Sequence, residues 1–138
     1  DQFHHFSVKA LLPCRACMVD VETFKKLLYE NNRFKELILK QMNMAVIDNY
    51  RKFIMLQQYN MQARLADVLI YLSNHILNNS SINKSSFSRK DLAELSGITR
   101  ESIGRTLKQF EQSGYISQND DTIEILKLGS LKQLISSK

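Results

Sequence analysis

The spacing of apolar residues changes character along this chain. Residues 1–22 have a β-like pattern: Phe6-Ser7-Val8-Lys9-Ala10-Leu11 roughly alternates, Ala16-Cys17-Met18-Val19-Asp20-Val21 is apolar and β-branched, and Pro13 separates the two runs. Two strands alone are marginal, so these are expected to need strands that come from missing N-terminal sequence or from a partner. From Val21 the period turns helical. Phe24, Leu27 and Leu28 share one face of a short helix over Thr23–Tyr29, and Asn31-Asn32 supplies a break and a cap. Arg33 to Gln57 then runs without Gly or Pro, which predicts a helix roughly 40 Å long at about 1.5 Å per residue.

Within that stretch Leu39, Met42, Val46, Asn49, Phe53 and Leu56 repeat at alternating steps of three and four, the a/d seam of a heptad pattern, with Ile38 and Ala45 beside it. A long helix with so narrow a seam is expected to pair with its own copy. The alternative is that the stripe packs on its own domain. Asn49 is the one polar seam residue, of the kind that fixes register and dimer state. Tyr59-Asn60 interrupts the pattern, and Asn60 is placed to cap a second helix that carries Met61, Leu65, Val68, Leu69, Leu72 and Ile76 to about Leu77. Residues 78–86 read as a polar loop.

The segment 88–113 carries the strongest functional signal. Ser88 and Asp91 have the spacing of a short capping box. Leu92, Ala93 and Leu95 follow, Gly97 is free to take positive φ at a turn, and Ile98 is expected to tuck inward. Thr99 caps a further helix with Ile103, Leu107 and Phe110 on its apolar face. This is a helix, a short glycine turn and a second helix. Ala93 provides the small contact that two steeply crossing helices need. Arg100, Glu101, Gly104, Arg105 and Lys108 lie off the apolar face, where base edges would be in a major groove. Two β-like runs follow, Gly114–Gln118 and Thr122–Leu126, joined by Asn119-Asp120-Asp121. A hairpin in this place is a wing, and its acidic tip argues against a phosphate grip.

Composition adds limits. The chain has 138 residues, 43% hydrophobic and 24% charged, with Gly 4, Pro 1 and Cys 2. Those values exclude collagen, a Pro-rich linker and a disulfide scaffold, and no apolar run approaches a membrane span. The first residue is Asp1 rather than Met, no secretory signal is read, and the expectation is a fragment or a trimmed product. The net charge of +5 permits a polyanionic partner. Between residues 84 and 109 the bases Lys84, Arg89, Lys90, Arg100, Arg105 and Lys108 outnumber Asp91, Glu94 and Glu101.

The stretch Phe87–Ile125, FSRKDLAELSGITRESIGRTLKQFEQSGYISQNDDTIEI, closely resembles the winged helix-turn-helix of the cyclic-AMP receptor protein/Fnr (Crp/Fnr) family of bacterial transcription regulators. The pattern L-A-x-x-x-G-x-x-R-E-x-x-x-R, from Leu92 to Arg105, is its most specific part. Upstream, 33–57 looks like the family's dimerisation helix, 58–60 like its hinge, and 1–28 like the end of its sensor barrel. The implied fold is mainly α with small β elements, organised as 1–29 remnant of a sensor barrel, 30–58 dimerisation helix and 59–138 winged helix-turn-helix DNA-binding domain. By the resemblance, Arg100, Glu101 and Arg105 match base-reading positions, which implies a TGTGA-like half-site in a two-fold operator. Ser88, Arg89, Thr99, Ser102 and Lys108 match contacts on the phosphate side. The implied partners are double-stranded DNA and a second copy of the chain, with RNA polymerase as a further candidate, in the cytoplasm and without a membrane. Most of the sensor barrel is missing, the cysteine cluster of Fnr is not present, and Asn49-Tyr50 stand where the cyclic-AMP receptor presents small hydroxyl residues. The effector is thus left open, and no cofactor is expected within the chain.

Other readings are weaker. A winged-helix protein–protein adaptor on a coiled-coil stalk is the alternative function. Cys14 and Cys17 with His4-His5 offer four metal-ligand types within a short span, but strand cysteines, buried or half-buried, are the expectation, and two cysteines suit a reducing cytoplasm. His75 reads as a helix-end residue, and Met42, Met44, Met55 and Met61 as gap-fillers of interface and hinge. No phosphate loop, nucleophile motif or paired-carboxylate site supports an enzyme.

Overall fold

The computed structural model describes residues 7, 8, 10, 12–77, 81–83 and 87–136. They divide into two compact units, Asp1–Phe53 and Ile54–Lys138.

In the first unit, helix α1 spans Val21–Glu30 and helix α2 begins at Asn32 and runs to Gln58, so that its last turn, from Ile54, belongs to the second unit. The strand expected over Ala16–Val21 is not formed: 14–20 carry no regular structure and Val21 opens α1. The reason is local. A strand needs a neighbour for its backbone groups, whereas Asp20 satisfies a helix start alone by accepting from the Thr23 N–H at 2.8 Å and from its hydroxyl at 2.7 Å. The Thr23 backbone N–H and then its hydroxyl hold the Asp20 carboxyl below its ordinary value. In the first expected strand, Ser7, Val8 and Ala10 also lack regular structure, and Phe6, Lys9 and Leu11 lie outside the described residues. Asn31 ends α1 and starts α2, its Oδ1 accepting from the Phe34 N–H at 2.9 Å. The rings of Phe24 and Phe34 meet edge to face at 5.6 Å. No residue of α1 is buried, and in α2 only Met55 is.

The second unit holds the core. Asn60 caps α3 (Met61–Tyr71) by accepting from the Ala63 N–H at 2.9 Å, and α3 continues into a π-helical segment, Leu72–Leu77. Strand β1 (Ser81–Asn83) follows, then α4 (Arg89–Ser96), α5 (Arg100–Gln112), β2 (Ile116–Gln118), β3 (Thr122–Ile125) and α6 (Leu128–Ser136). The strands form one antiparallel sheet in the order β1-β3-β2, with Ile82 opposite Ile123 and Ile116 opposite Ile125.

Two of these elements differ from the sequence reading. Ser81–Asn83, inside the expected polar loop, is a strand because Ile82 is fully buried beside β3. A single apolar residue in a polar run carries no period, so the strand is set by its partner. Helix α6 packs on α3 and buries Leu131. Leu65, Leu69, Phe87, Leu92, Ile103, Leu107 and Phe110 form the centre of the core, and full burial of each such side chain stabilises the unit by about 1.5–3 kcal/mol.

Candidate nucleic-acid interface

Helix α4 opens on a complete capping box. The Asp91 N–H donates to Ser88 Oγ at 3.3 Å, and Asp91 Oδ2 accepts from the Ser88 N–H at 3.0 Å and its hydroxyl at 2.6 Å. Gly97 ends the helix in the left-handed region at φ 63°, and the Ile98 N–H donates to the Ala93 carbonyl at 3.2 Å. Ile98 and Ala93 are both buried. Arg64 of α3 pins the turn, its Nη1 donating to the Gly97 carbonyl at 3.2 Å. A methyl group at Gly97 would come within 2.7 Å of Leu56 Cδ2, so Leu56 packs against the turn. Sequence reasoning misses Arg64. Its partner lies 33 residues away, and nothing local marks it.

Thr99 caps α5 by accepting from the Ser102 N–H at 3.3 Å. One side of α5 buries Ser102, Ile103, Thr106, Leu107 and Phe110, while Arg100, Glu101, Arg105 and Lys108 are exposed and Gly104 is half-buried. Arg105 Nη1 lies 3.6 Å from Glu101 Oε1, a solvent-exposed pair worth roughly 0–1 kcal/mol, so it orders the arginine more than it stabilises the fold. Ser102 is 8% exposed and accepts from the Thr99 hydroxyl at 3.0 Å and from Arg105 Nη2 at 3.3 Å. Arg89, exposed in the first turn of α4, reaches the same helix: a methyl group at Gly104 would lie 3.9 Å from its Nη1. Gln62 of α3 donates from Nε2 to Gln109 Oε1 at 3.2 Å, a second link from α3 to α5.

In the wing, Asn119 Oδ1 accepts from the Asp121 N–H at 2.9 Å and the Thr122 N–H at 2.7 Å, which closes the turn. Asp120, Asp121 and Glu124 are exposed. Glu111 at the end of α5 holds the hairpin by accepting from the Gln118 N–H at 3.1 Å.

Outside this face, Leu39, Met42, Val46, Phe53 and Leu56 are 42–66% exposed and Asn49 is also exposed. The methionines divide: Met55 is buried, while Met42, Met44 and Met61 are not. Cys14 and Cys17, expected in a strand and at least half-buried, are free, exposed thiols in irregular chain. Among the described residues no sheet forms around them. Among the described residues no three His, Cys, Asp or Glu side chains gather as a metal site. His4 and His5 lie outside the described residues, as does the side chain of His75.

Residues 63–134 match the family model of the Crp-like helix-turn-helix domain, more than half of the 138-residue chain. No curated protein sequence matches the chain. FixK2 from Bradyrhizobium japonicum has the same fold, with a TM-score of 0.78 at 16% identity over 87% of this chain and 61% of its own. A protein of Eubacterium rectale assigned to the Crp/Fnr family matches with a TM-score of 0.68 at 20% identity, over 84% of this chain and 52% of its own. A Crp/Fnr-family transcriptional regulator of Thermus thermophilus gives 0.62 at 22% identity, over 86% and 56%. This chain thus spans 52–61% of the length of those proteins. Among the described residues no helix is long and apolar enough to cross a membrane. The chain belongs to the Crp/Fnr family of transcriptional regulators and carries the family's Crp-like helix-turn-helix domain over residues 63–134.

Proposed function

We propose that this chain is the DNA-reading part of a homodimeric regulator that recognises a two-fold operator. The observation that carries the reading is the exposure of Arg100, Glu101 and Arg105 together on one side of α5, whose other side is locked into the core by Ile103, Leu107 and Phe110. An arginine bonds guanine O6 and N7 with two parallel donors, and a glutamate accepts from cytosine N4. Arg100 and Arg105 are assigned to guanines, and Glu101 both accepts from a cytosine and steadies Arg105. Ser88, Arg89, Thr99 and Lys108 face the flanking phosphates. Helix α2 pairs with its copy along Leu39, Met42, Val46, Asn49 and Phe53, whose exposure in the single chain leaves an apolar stripe to be covered. Pairing places two copies of α5 about 34 Å apart, in successive major grooves on one face of the duplex. The dimer acts in the bacterial cytoplasm on the promoters it binds.

A second reading, an adaptor that binds protein instead of DNA, has one observation in its favour. The exposed carboxylates of Asp120, Asp121 and Glu124 at the wing oppose a close phosphate contact. Equilibrium binding to a duplex with two TGTGA half-sites and to a scrambled duplex, at two salt concentrations, separates the two. A preference for the two-fold duplex, on top of weak salt-sensitive binding to both, supports the regulator. Equal binding to both supports the adaptor.

A further inference from the structure

We propose that Ser102 is a positioning residue for Arg105 and not a phosphate contact, an inference that rests on the DNA-reading function proposed above. Ser102 is 8% exposed, so the residue as a whole is turned into the protein rather than towards a ligand. The hydrogen of its hydroxyl is the one group a phosphate could accept, while both acceptor positions of the hydroxyl oxygen are used within the helix. One takes the Thr99 hydroxyl at 3.0 Å and the other takes Arg105 Nη2 at 3.3 Å. The Ser102 N–H returns to Thr99 Oγ1 at 3.3 Å. The side chain that caps the helix therefore also fixes the serine, and the serine fixes the arginine. Glu101 meets the guanidinium from its other edge, 3.6 Å from Nη1. Arg105 is thus held on two sides before any ligand arrives. A long side chain ordered in advance loses less freedom on binding, and a fixed guanidinium plane is what bidentate recognition of a base requires.

A positioning role and a phosphate contact lead to opposite results. Loss of a phosphate contact weakens binding to every sequence and lowers the salt dependence by about one counterion. Loss of positioning reduces discrimination at one base pair and leaves the salt dependence unchanged. The test uses the 138-residue chain, Ser102→Ala and Ser102→Thr, with circular dichroism to establish that each is folded. Nitrogen-15 relaxation of the Arg105 Nε–H group is measured without DNA. Binding is then measured to a duplex with two TGTGA half-sites and to versions with each base pair replaced in turn, over a range of salt.

The expected result is an ordered Arg105 in the parent and in Ser102→Thr, and a mobile one in Ser102→Ala. With that mobility comes roughly tenfold loss of preference at a single base pair, within the range of one bidentate arginine–guanine pair. Arg105 equally ordered in parent and Ser102→Ala overturns the proposal whatever the DNA data show, as does a uniform loss across all duplexes with a lowered salt slope. If Arg105 loosens in Ser102→Ala but the parent prefers no duplex, the positioning of Arg105 stands and the DNA-reading function falls.

Discussion

In Ile54–Lys138, Leu65, Leu69, Leu107 and Phe110 are at most 2% exposed, whereas in Asp1–Phe53 the seam residues Leu39, Met42, Val46 and Phe53 keep 59–66% of their surface open. The same kinds of side chain meet two different fates in one polypeptide. The second unit closes around its own core, with helix caps, a pinned turn and a three-stranded sheet, and presents a charged face as its surface. The first offers a long helix whose apolar stripe stays exposed among the described residues. The difference teaches that the charged face of α5 is built by packing within its own unit, while the pairing proposed for α2 draws on a second molecule.

Breaking the core of the second unit gives the largest effect. Phe110→Ala is expected to cost about 3–5 kcal/mol, a large share of the roughly 5–15 kcal/mol that a domain has, read as a shift in the midpoint of denaturant unfolding. An aspartate in the stripe of α2 separates the two regions instead. Val46→Asp is expected to weaken self-association at least tenfold in sedimentation equilibrium, since a buried unpaired charge costs more than the roughly 1.4 kcal/mol of a decade, while far-UV signal and unfolding of the second unit stay as in the parent. A parent chain that is monomeric at all concentrations would remove the pairing half of the comparison.

Gly97→Ala sharpens the account of the turn. A side chain at φ 63° costs about 1–2 kcal/mol, and the new methyl also displaces Leu56, so the melting temperature falls and DNA binding falls with it. The smallest effect concerns Asp67, half-buried on α3, whose carboxyl desolvation raises above its ordinary 3.8. The folded state holds that proton more tightly than the unfolded chain does. The carboxylate therefore works against folding above the raised value, and this burden is lifted as pH falls through that value towards 3.8. Asp67→Asn is expected to raise the melting temperature slightly at neutral pH, with the gain gone at about pH 3 and below.

What could be read in advance follows from where the information lies. The capping box at Ser88 and Asp91, the glycine turn, the Thr99 cap and the charged side of α5 are all specified by residues within a few positions of one another, and each forms as the spacing predicts. The long helix is equally local, since no Gly or Pro interrupts it. The misreadings depend on distant partners. Ala16–Val21 has the composition of a strand but pairs with no strand among the described residues, and Ser81–Asn83 lacks the composition of one but finds β3. Arg64 and Gln62 become part of the site only when α3 is laid against the turn and α5. Ser102 shows the same limit on a smaller scale: its place on α5 fits a phosphate contact, and its burial and its bonds to Thr99 and Arg105, on which the proposed positioning role rests, appear only in the folded helix.

The central claim is that Arg100 and Arg105 each read a base. It is tested most directly by measuring the affinity of the parent, Arg100→Ala and Arg105→Ala for a duplex of two TGTGA half-sites and for every single-base-pair replacement of it, at fixed salt. The account predicts that each variant loses about 1–3 kcal/mol on the unmodified duplex and becomes indifferent to replacement at one position per half-site, a different one for each arginine. Variants that bind more weakly but rank all the duplexes as the parent does would contradict it.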